Sequence, residues 1–139
     1  MKKNIEVKNL DKFFNKIIKN NYNFFTGVPD SSLKNFIEEI DKNNLPNIIA
    51  THESQAMGIA VGAELAMKKS CIYLQNSGLG NLINHIASLC HPFKIFPLLI
   101  IGHRHTMWQH KIMGKIDEKM LELIKYPNYV IVHGENNVE

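Results

Sequence analysis

The sequence has little cysteine and no long apolar run. Its two cysteines, Cys71 and Cys90, have neither the spacing of a metal site nor the number that a disulfide framework requires, which suits a reducing compartment. The most apolar segment, residues 96–101, is far shorter than the roughly 20 residues that span a bilayer. The lysine-containing N-terminus lacks the apolar part of a secretory signal. We therefore expect a cytoplasmic protein with no membrane partner.

A strong excess of charge of one sign is also missing. Sixteen lysine and arginine residues against thirteen aspartate and glutamate residues give a formal net charge of +3, without the basic stripe that contacts nucleic acid. Hydrophobic residues make up 45% of the chain and charged residues 21%, which is typical of a globular protein. At 139 residues, the chain is long enough to bury a core, and we expect residues 1–139 to form one domain.

Short apolar runs alternate along the chain with segments of helical periodicity. The predicted strands are residues 22–26, 48–51 (a buried strand), 71–75, 96–101 and 129–132, and the predicted helices lie near residues 10–18, 33–40, 52–68, 81–90 and 116–124. Asn9, either Asp30 or Ser31, and Thr51 are the predicted N-caps of the first three helices. Because apolar strands that alternate with helices indicate a parallel sheet covered on both faces, the sequence predicts a doubly wound, mostly parallel α/β fold.

Polar and glycine-rich residues follow four of the predicted strands. In doubly wound folds, ligands bind where the carboxyl ends of the strands release their loops, so these residues are the candidates for a functional site. They are Gly27-Val28-Pro29-Asp30-Ser31, His52-Glu53-Ser54, Gln75-Asn76-Ser77-Gly78-Leu79-Gly80-Asn81 and Gly102-His103-Arg104-His105, with His110 a few residues further on.

Each candidate also has a purely structural explanation. Glu53 alone is an acidic residue at the positive end of a helix, and Asp30 alone is an N-cap. Residues 75–81 form a turn whose glycines also let backbone amides approach a ligand, but they match neither the Walker loop nor the dinucleotide fingerprint. Arg104 and the neighbouring histidines are cations suited to an anionic substrate, and their spacing does not indicate a metal site.

Taken in this order, the segments resemble one known family. Residues 27–31, Thr51-His52-Glu53, residues 75–81 and Gln109-His110 with Met113-Gly114 resemble the pyrimidine-binding (PYR) domain of thiamine-diphosphate-dependent decarboxylases. The similarity extends over about residues 24–123 and is greatest to phosphonopyruvate decarboxylase and the α subunit of sulfopyruvate decarboxylase. The string from Gln75 to Asn81 is its most specific part.

The resemblance implies a role for each matching residue. Glu53 would hydrogen-bond the aminopyrimidine ring of thiamine diphosphate and so activate the cofactor, while Asp30 and His110 would act as acid and base on the reacting groups. The implied cofactor contacts are Gly27, Val28, Pro29, Glu53, Asn76, Ser77 and Gly78. The implied substrate contacts are Asp30, Ser31, Gln75, Asn81, Arg104 and His110. No metal ligand is implied in this chain.

The resemblance also implies a second protein chain. The family holds the cofactor's diphosphate through Mg²⁺, using a Gly-Asp-Gly segment and a later Asn-Asn pair in a diphosphate-binding (PP) domain, because a buried diphosphate needs a cation with hard oxygen ligands. Residues 133–137, His-Gly-Glu-Asn-Asn, match these motifs only by chance. We expect a PP-domain β subunit that holds Mg²⁺, an α2β2 or larger assembly, and contact between PYR domains.

The implied reaction releases CO₂ and an aldehyde from a small anionic 2-oxoacid, of the phosphonopyruvate or sulfopyruvate type. His52-Glu53-Ser54 stands where phosphonopyruvate decarboxylases typically have Asn-Glu-Gly, and residues 104–109 form a shorter segment than expected, so the 2-oxoacid stays open. The alternatives are a PYR-like module for assembly or regulation without catalysis, a subunit of a split carboligase, and a nucleotide-binding α/β protein.

Overall fold

A parallel β-sheet organises the computed structural model, which describes residues 1–134. In this part of the chain the sheet has six strands, in the order β1-β6-β5-β4-β2-β3, and every neighbouring pair is parallel. The strands are β1 (Lys2–Glu6), β2 (Tyr22–Gly27), β3 (Asn47–Ile49), β4 (Lys69–Gln75), β5 (Leu98–Gly102) and β6 (Tyr129–His133). The predicted α/β fold with a parallel sheet is confirmed.

Helices connect the strands and cover both faces of the sheet. The α-helices are α1 (Leu10–Lys19), α2 (Lys34–Lys42), α3 (Glu53–Leu65), α4 (Ile83–His85), α5 (His91–Phe93) and α6 (Met113–Leu123). Turns of 3₁₀-helix lie at Val7–Asn9, Ser31–Leu33, Asn76–Leu82 and Trp108–His110, and a π-helical turn, Ile86–Cys90, joins α4 to α5. No helix within residues 1–134 has the length and apolar character needed to cross a bilayer.

One hydrophobic core lies between the sheet and helices α1 and α2. Phe14 of α1, Phe25 of β2 and Phe36 of α2 are buried there, with ring centroids 5.6–6.3 Å apart. Aromatic pairs at this spacing add to the stabilisation that burial of their surface provides. The contact joins three consecutive elements and brings the loop between β2 and α2 close to the sheet.

A second core lies on the opposite face, beneath α3, the helical turns of residues 76–93 and α6. Ala56, Met57 and Ala60 of α3 are fully buried against strand residues such as Ile72 and Leu74. The small side chains of α3 permit its close approach to the sheet. The predicted arrangement of helices on both faces is therefore confirmed.

The order of the strands reverses between β2 and β4. From β2 the chain moves outward to β3, then returns across β2 to β4 and continues through β5 to β6. Such a reversal opens a crevice at the carboxyl ends of the two central strands, where doubly wound proteins bind their ligands. The loops that begin at Gly27 and Gln75 therefore flank this crevice.

Two strands differ from the sequence-based expectation. Strand β1 was not predicted, because residues 2–6 carry a single half-buried apolar residue, Ile5, and no apolar run. The strand predicted as buried is β3, an edge strand of three residues whose Ile48 and Ile49 are 44% and 55% exposed. The prediction of burial was wrong because an apolar pair does not reveal that β3 has a neighbour, β2, on one side only.

The helix N-caps also required correction. Asn9 makes no side-chain cap bond at the start of α1. His52, not Thr51, caps α3, because the Nδ1 atom of His52 accepts the amide hydrogen of Ser54 at 3.2 Å. Asp30 caps the 3₁₀ turn Ser31–Leu33 that leads into α2, because its carboxylate accepts the amide hydrogen of Ser32 at 2.9 Å, but α2 itself begins after Leu33 without a side-chain cap.

The helix predicted after β4 is not continuous. A 3₁₀ segment at Asn76–Leu82 precedes the first α-helical turn, and a π-helical turn interrupts the helix at Ile86–Cys90. Gly78 and Gly80 lie in the 3₁₀ segment, which is consistent with the low helix propensity of glycine. The departure from a regular helix thus begins in the loop that the sequence indicated as a ligand-binding turn.

Candidate functional site

The candidate site is built from loops at the carboxyl edge of the sheet. Gly27 ends β2, Gln75 ends β4 and Gly102 ends β5, and these strands are neighbours in the sheet. A Cβ atom at Gly27 would lie 2.1 Å from the carbonyl oxygen of Tyr73, so that a side chain there would separate β2 from β4. Gly27 therefore serves the close packing of the central strands at the edge of the crevice.

Glu53 is the first residue of α3 and is half-buried. Its Oε2 atom accepts a hydrogen bond from Nδ2 of Asn81 at 2.8 Å. The loop that carries Asn81 is held in turn by Ser54, whose hydroxyl donates to the Asn81 carbonyl at 3.1 Å. The structure therefore brings together two residues that the sequence places 28 positions apart.

Gly78 lies directly against the Glu53 carboxylate, next to Oε1, the oxygen that Asn81 does not bond. A Cβ atom at Gly78 would lie 2.3 Å from Oε1 and 2.6 Å from the carboxylate carbon of Glu53, which is too close for any side chain. Among residues 1–134, Oε1 has no hydrogen-bond donor. The carboxylate is thus fixed by Asn81 and Gly78 with one oxygen left to accept a hydrogen from a ligand.

Asp30 and Arg104 form an ion pair across the crevice. The Nη1 atom of Arg104 donates to Oδ2 of Asp30 at 3.2 Å, and the two side chains are 25% and 9% exposed. The other carboxylate oxygen of Asp30 accepts from both the amide and the hydroxyl of Ser32. Asp30 is therefore both a helix cap and the partner of the cation that the sequence analysis assigned to an anionic substrate.

His110 lies against Gln75 at the end of β4, with 3.1 Å between the Nδ1 atom of His110 and Nε2 of Gln75. Since the Gln75 amide nitrogen is a donor, Nδ1 accepts and the ring hydrogen of neutral His110 is on Nε2. This bond orients the imidazole and leaves Nε2 as the atom available for proton transfer.

Asn76 lies beneath the site and is fully buried. Its Nδ2 atom donates to the Arg104 carbonyl at 2.9 Å and to Oδ2 of Asp117 at 3.1 Å. The Oδ1 atom of Asn76 is buried without a hydrogen-bond partner in the described part of the chain. Its cofactor contact stays a prediction, and its structural bonds join the loops that follow β4 and β5.

Asp117 is a buried polar residue that the sequence analysis missed. It lies on α6 and is 3% exposed, and its Oδ2 atom is 2.5 Å from Nδ1 of His103. The ring of His103 lies between those of His105 and His133, at centroid distances of 4.9 and 4.6 Å. Burial, and next the neighbouring His103, lower the pKa of His133, which favours the neutral form of His133.

A sequence signal for Asp117 was present. It lies four residues before Leu121, the buried apolar residue of α6, so the two residues share one helix face. A charged residue on the core face of a helix is uncommon unless it is paired.

The remaining candidates lie around the mouth of the site. Pro29 and Ser31 are exposed and line a cavity of about 320 Å³ with Asp30 and Lys34. Val28 packs against the core beneath α3, and Ser77 is exposed. Their predicted ligand contacts stay predictions.

Cysteine and metal chemistry have little support in the described residues. Cys71 and Cys90 are both buried and free, and burial raises the pKa of the Cys71 thiol and that of Cys90 to about 11. Such thiols are unreactive because little thiolate forms. Within residues 1–134, no group of three or more histidine, cysteine or acidic side chains is arranged to hold a metal ion. Of the predicted chance match at residues 133–137, residues 135–137 lie outside the described part.

Comparison with known proteins identifies the family. The chain is 44% identical over 121 residues to the sulfopyruvate decarboxylase subunit alpha of Methanocaldococcus jannaschii, a match that covers 84% of this chain and 72% of that protein. The chain belongs to the sulfopyruvate decarboxylase α-subunit family. The resemblance stated from the sequence is thus confirmed. No protein-family model matches the chain.

The chain is also similar to a second sulfopyruvate decarboxylase α subunit and to a phosphonopyruvate decarboxylase. The sulfopyruvate decarboxylase subunit alpha of Methanococcus maripaludis is 36% identical over 119 residues, which cover 81% of this chain and 71% of that protein. The phosphonopyruvate decarboxylase of Streptomyces viridochromogenes is 35% identical over 108 residues, 70% of this chain but 26% of that longer protein. The sulfopyruvate α subunits are therefore similar over most of their length, and phosphonopyruvate decarboxylase over one part.

The contact between Gly78 and Glu53 predicts that alanine at position 78 destabilises the fold, whereas alanine at the nearby Gly80 does not. The G78A substitution forces the Glu53 carboxylate away and breaks its bond to Asn81, and we expect it to lower the free energy of unfolding by about 1–2 kcal/mol. The matched control is G80A in the same 3₁₀ segment, where a Cβ atom meets nothing within 4 Å. We expect its effect to stay within about 0.5 kcal/mol. Urea unfolding measures both; equal midpoints for G78A and wild type would contradict the placement of Glu53.

Proposed function

We propose that this chain is the α (PYR) subunit of a thiamine-diphosphate-dependent decarboxylase of small anionic 2-oxoacids. The observation that carries the proposal is the Glu53 carboxylate, fixed by Gly78 and Asn81 at the crevice with one oxygen left to accept a hydrogen. The printed names of its relatives, sulfopyruvate and phosphonopyruvate decarboxylase, support this reaction class. The enzyme class is a carboxy-lyase.

The Glu53 carboxylate is a suitable acceptor for the aminopyrimidine of thiamine diphosphate. A carboxylate oxygen that has no hydrogen-bond donor among residues 1–134 is an acceptor for a protonated ring nitrogen, and the absence of a side chain at Gly78 leaves the space that the Glu53 carboxylate occupies. When bound, the cofactor supplies a cationic ring that accepts the electron pair released as CO₂ leaves the 2-oxoacid. In this proposal, Glu53 holds a proton on the ring nitrogen, which requires the carboxylate to remain in place.

Two other residues are suited to handle protons at the reacting carbon. His110 is oriented by Gln75 and carries its ring hydrogen on Nε2 when neutral, and Asp30 is held by Ser32 and Arg104. Histidine is the side chain best suited to both accept and donate protons near neutral pH. We propose His110 as the principal acid and base for the product, with Asp30 as its carboxylate counterpart.

We propose that Arg104 binds the second anionic group of the substrate, which the 2-oxoacid carries in addition to its carboxylate. Its guanidinium is partly exposed at the crevice and is held in place by one bond to Asp30. A planar guanidinium has five N–H donors and matches oxyanions with two parallel bonds. A sulfonate or phosphonate on the 2-oxoacid is such an oxyanion, while pyruvate lacks one.

The proposed enzyme also needs a partner chain. The words "subunit alpha" in the names of three relatives refer to multi-subunit enzymes, and the match to phosphonopyruvate decarboxylase covers 26% of that protein. We propose that a β subunit with a PP domain holds Mg²⁺ and the diphosphate, in an α2β2 or larger cytoplasmic assembly with contact between PYR domains.

The partner requirement predicts that activity appears on mixing. We expect the α chain alone, supplied with thiamine diphosphate and Mg²⁺, to release no CO₂ from sulfopyruvate or phosphonopyruvate above the rate without enzyme. Addition of a purified PP-domain β subunit should produce CO₂ and the matching aldehyde, measured by trapped CO₂ and aldehyde reduction. A condensation product in place of the aldehyde would instead indicate a carboligase, and activity of the α chain alone would contradict the split site.

The proposed role of Glu53 predicts that the mixed subunits lose turnover when one carboxylate oxygen of Glu53 is replaced by an amide nitrogen. The E53Q substitution keeps the size of the side chain and its bond from Asn81 but removes the carboxylate that holds the ring proton. We expect kcat of the mixed subunits to fall by about a hundredfold or more, the range of acid–base catalysis. E39Q on the outer surface of α2, where Glu39 pairs with Lys42, is the control and should retain full turnover. Unchanged turnover of E53Q would favour a role in assembly without catalysis.

Arg104 predicts a difference between substrates. Hydrogen bonds to charged groups contribute about 1.5–3 kcal/mol, so we expect R104Q to raise KM for the anionic 2-oxoacid by about tenfold to a hundredfold. KM for pyruvate, which has no second anion, should change little. K34Q removes the lysine that lines the neighbouring cavity and serves as the matched control. If K34Q rather than R104Q raises KM, the anion is bound on the α2 side of Asp30.

A further inference from the structure

The loop between β5 and α6 carries Arg104 and His110, and both residues are attached to the crevice. The Arg104 side chain bonds Asp30, the Arg104 carbonyl accepts from Asn76, and His110 contacts Gln75. Two of these contacts act on the side chains that face the crevice. The third, from Asn76, acts on the loop backbone and is part of a buried network.

Asp117 is the centre of that buried network. Its Oδ2 atom accepts hydrogen bonds from Nδ1 of His103 at 2.5 Å and from Nδ2 of Asn76 at 3.1 Å, and its Oδ1 atom accepts the amide hydrogen of Glu118 at 2.7 Å. The residue is 3% exposed. A buried carboxylate is costly unless several donors compensate for its lost hydration, and here three converge on it.

We propose that Asp117 is a positioning residue that fixes the loop carrying Arg104. It holds the side chain of His103 directly and, through Asn76, the carbonyl group of Arg104. The backbone on both sides of the 103–104 peptide is thereby fixed to α6 and to the end of β4. The inference rests on the proposed function in one respect, because it assigns Arg104 to the second anion of the substrate.

The network requires a carboxylate at position 117. Three N–H donors meet two carboxylate oxygens, and each oxygen accepts without donating. The amide of an asparagine has one oxygen and adds two N–H donors, so the D117N substitution leaves at least one pair of donors facing each other. The change is nearly isosteric, and its expected effect is therefore a displaced loop rather than a cavity.

His103 contributes a hydrogen bond and a ring contact, and substitutions can test the two separately. Its Nδ1 atom bonds Asp117, and its ring lies against those of His105 and His133. The H103N substitution keeps an N–H donor close to the position of Nδ1 and removes the ring. The H103F substitution keeps a ring and removes the donor. If the bond to Asp117 fixes the loop, H103N keeps the wild-type KM for the anionic 2-oxoacid and H103F raises it.

Trp108 provides a readout that needs no substrate, cofactor or partner. It is the one tryptophan in the sequence, lies within this loop and is 82% exposed. Its fluorescence anisotropy in the isolated α chain therefore reports the mobility of the loop on the nanosecond timescale.

The experiment combines this readout with steady-state kinetics of the mixed subunits. For D117N and H103F, we expect lower Trp108 anisotropy and a KM for the anionic 2-oxoacid raised by about tenfold or more, since small misplacement of a binding group has effects of this size. We expect kcat to change by less than about threefold, because His110 is held separately by Gln75. H103N should be close to wild type in both measurements.

The control for a general loss of stability is Y126F. The buried Tyr126 hydroxyl donates to the Pro97 carbonyl at 2.6 Å, at the amino end of β5 and away from the crevice. Y126F should leave the anisotropy and KM unchanged. The proposal is overturned if D117N matches Y126F in both measurements, or if H103N lowers the anisotropy and raises KM while H103F does not. If the wild-type mixture releases no CO₂, the proposed function fails, and the anisotropy of the His103 pair still decides whether Asp117 positions the loop.

Discussion

The reversal of strand order between β2 and β4 is the constraint on which the rest of the structure depends. Because all described strands are parallel, their carboxyl ends meet at one edge, and the reversal separates the loops that leave β2 and β4. Asp30 comes from one of these loops and Gln75 from the end of the other strand. The close contact at Gly27 holds the two strands together directly below this point. The crevice thus follows from the order of the strands alone.

Polar side chains at this edge stabilise one another before any ligand is bound. Asn81 holds Glu53, Ser32 and Arg104 hold Asp30, and Gln75 holds His110. Preorganised groups of this kind need little rearrangement when charge develops on a bound molecule. Asp117 adds to this preorganisation from beneath the surface, because its bonds hold the backbone of residues 103–104 in place.

Sequence patterns predicted the sheet, the helices on both faces and the loops of the site, because each depends on local signals. An apolar run such as residues 71–75, bounded by turn residues, indicates a strand from the local sequence, and Asp30 caps its turn through its own sequence neighbours. Strand β1 was missed, since its pairing with β6 depends on residues more than 100 positions away. The exposure of β3 and the pairing of Asp30 with Arg104 were not predictable either, because each depends on neighbours in the fold that are not adjacent in the sequence. Asp117 was detectable from its helix face, but its partners were not.

The pairing of Asp30 with Arg104 bears on how an anion can be bound at this site. One guanidinium nitrogen, Nη1, contacts the Asp30 carboxylate at 3.2 Å, and the group as a whole has five N–H donors. Asp30 can therefore fix the plane of the guanidinium while other donors of Arg104 contact a second anion, so that the ion pair need not break. A free arginine would lose side-chain entropy on binding, whereas the side chain of Arg104 is already restrained by Asp30 and its backbone by the Asn76 bond to its carbonyl. The ion pair and the buried network of Asp117 thus act on the same residue from opposite ends.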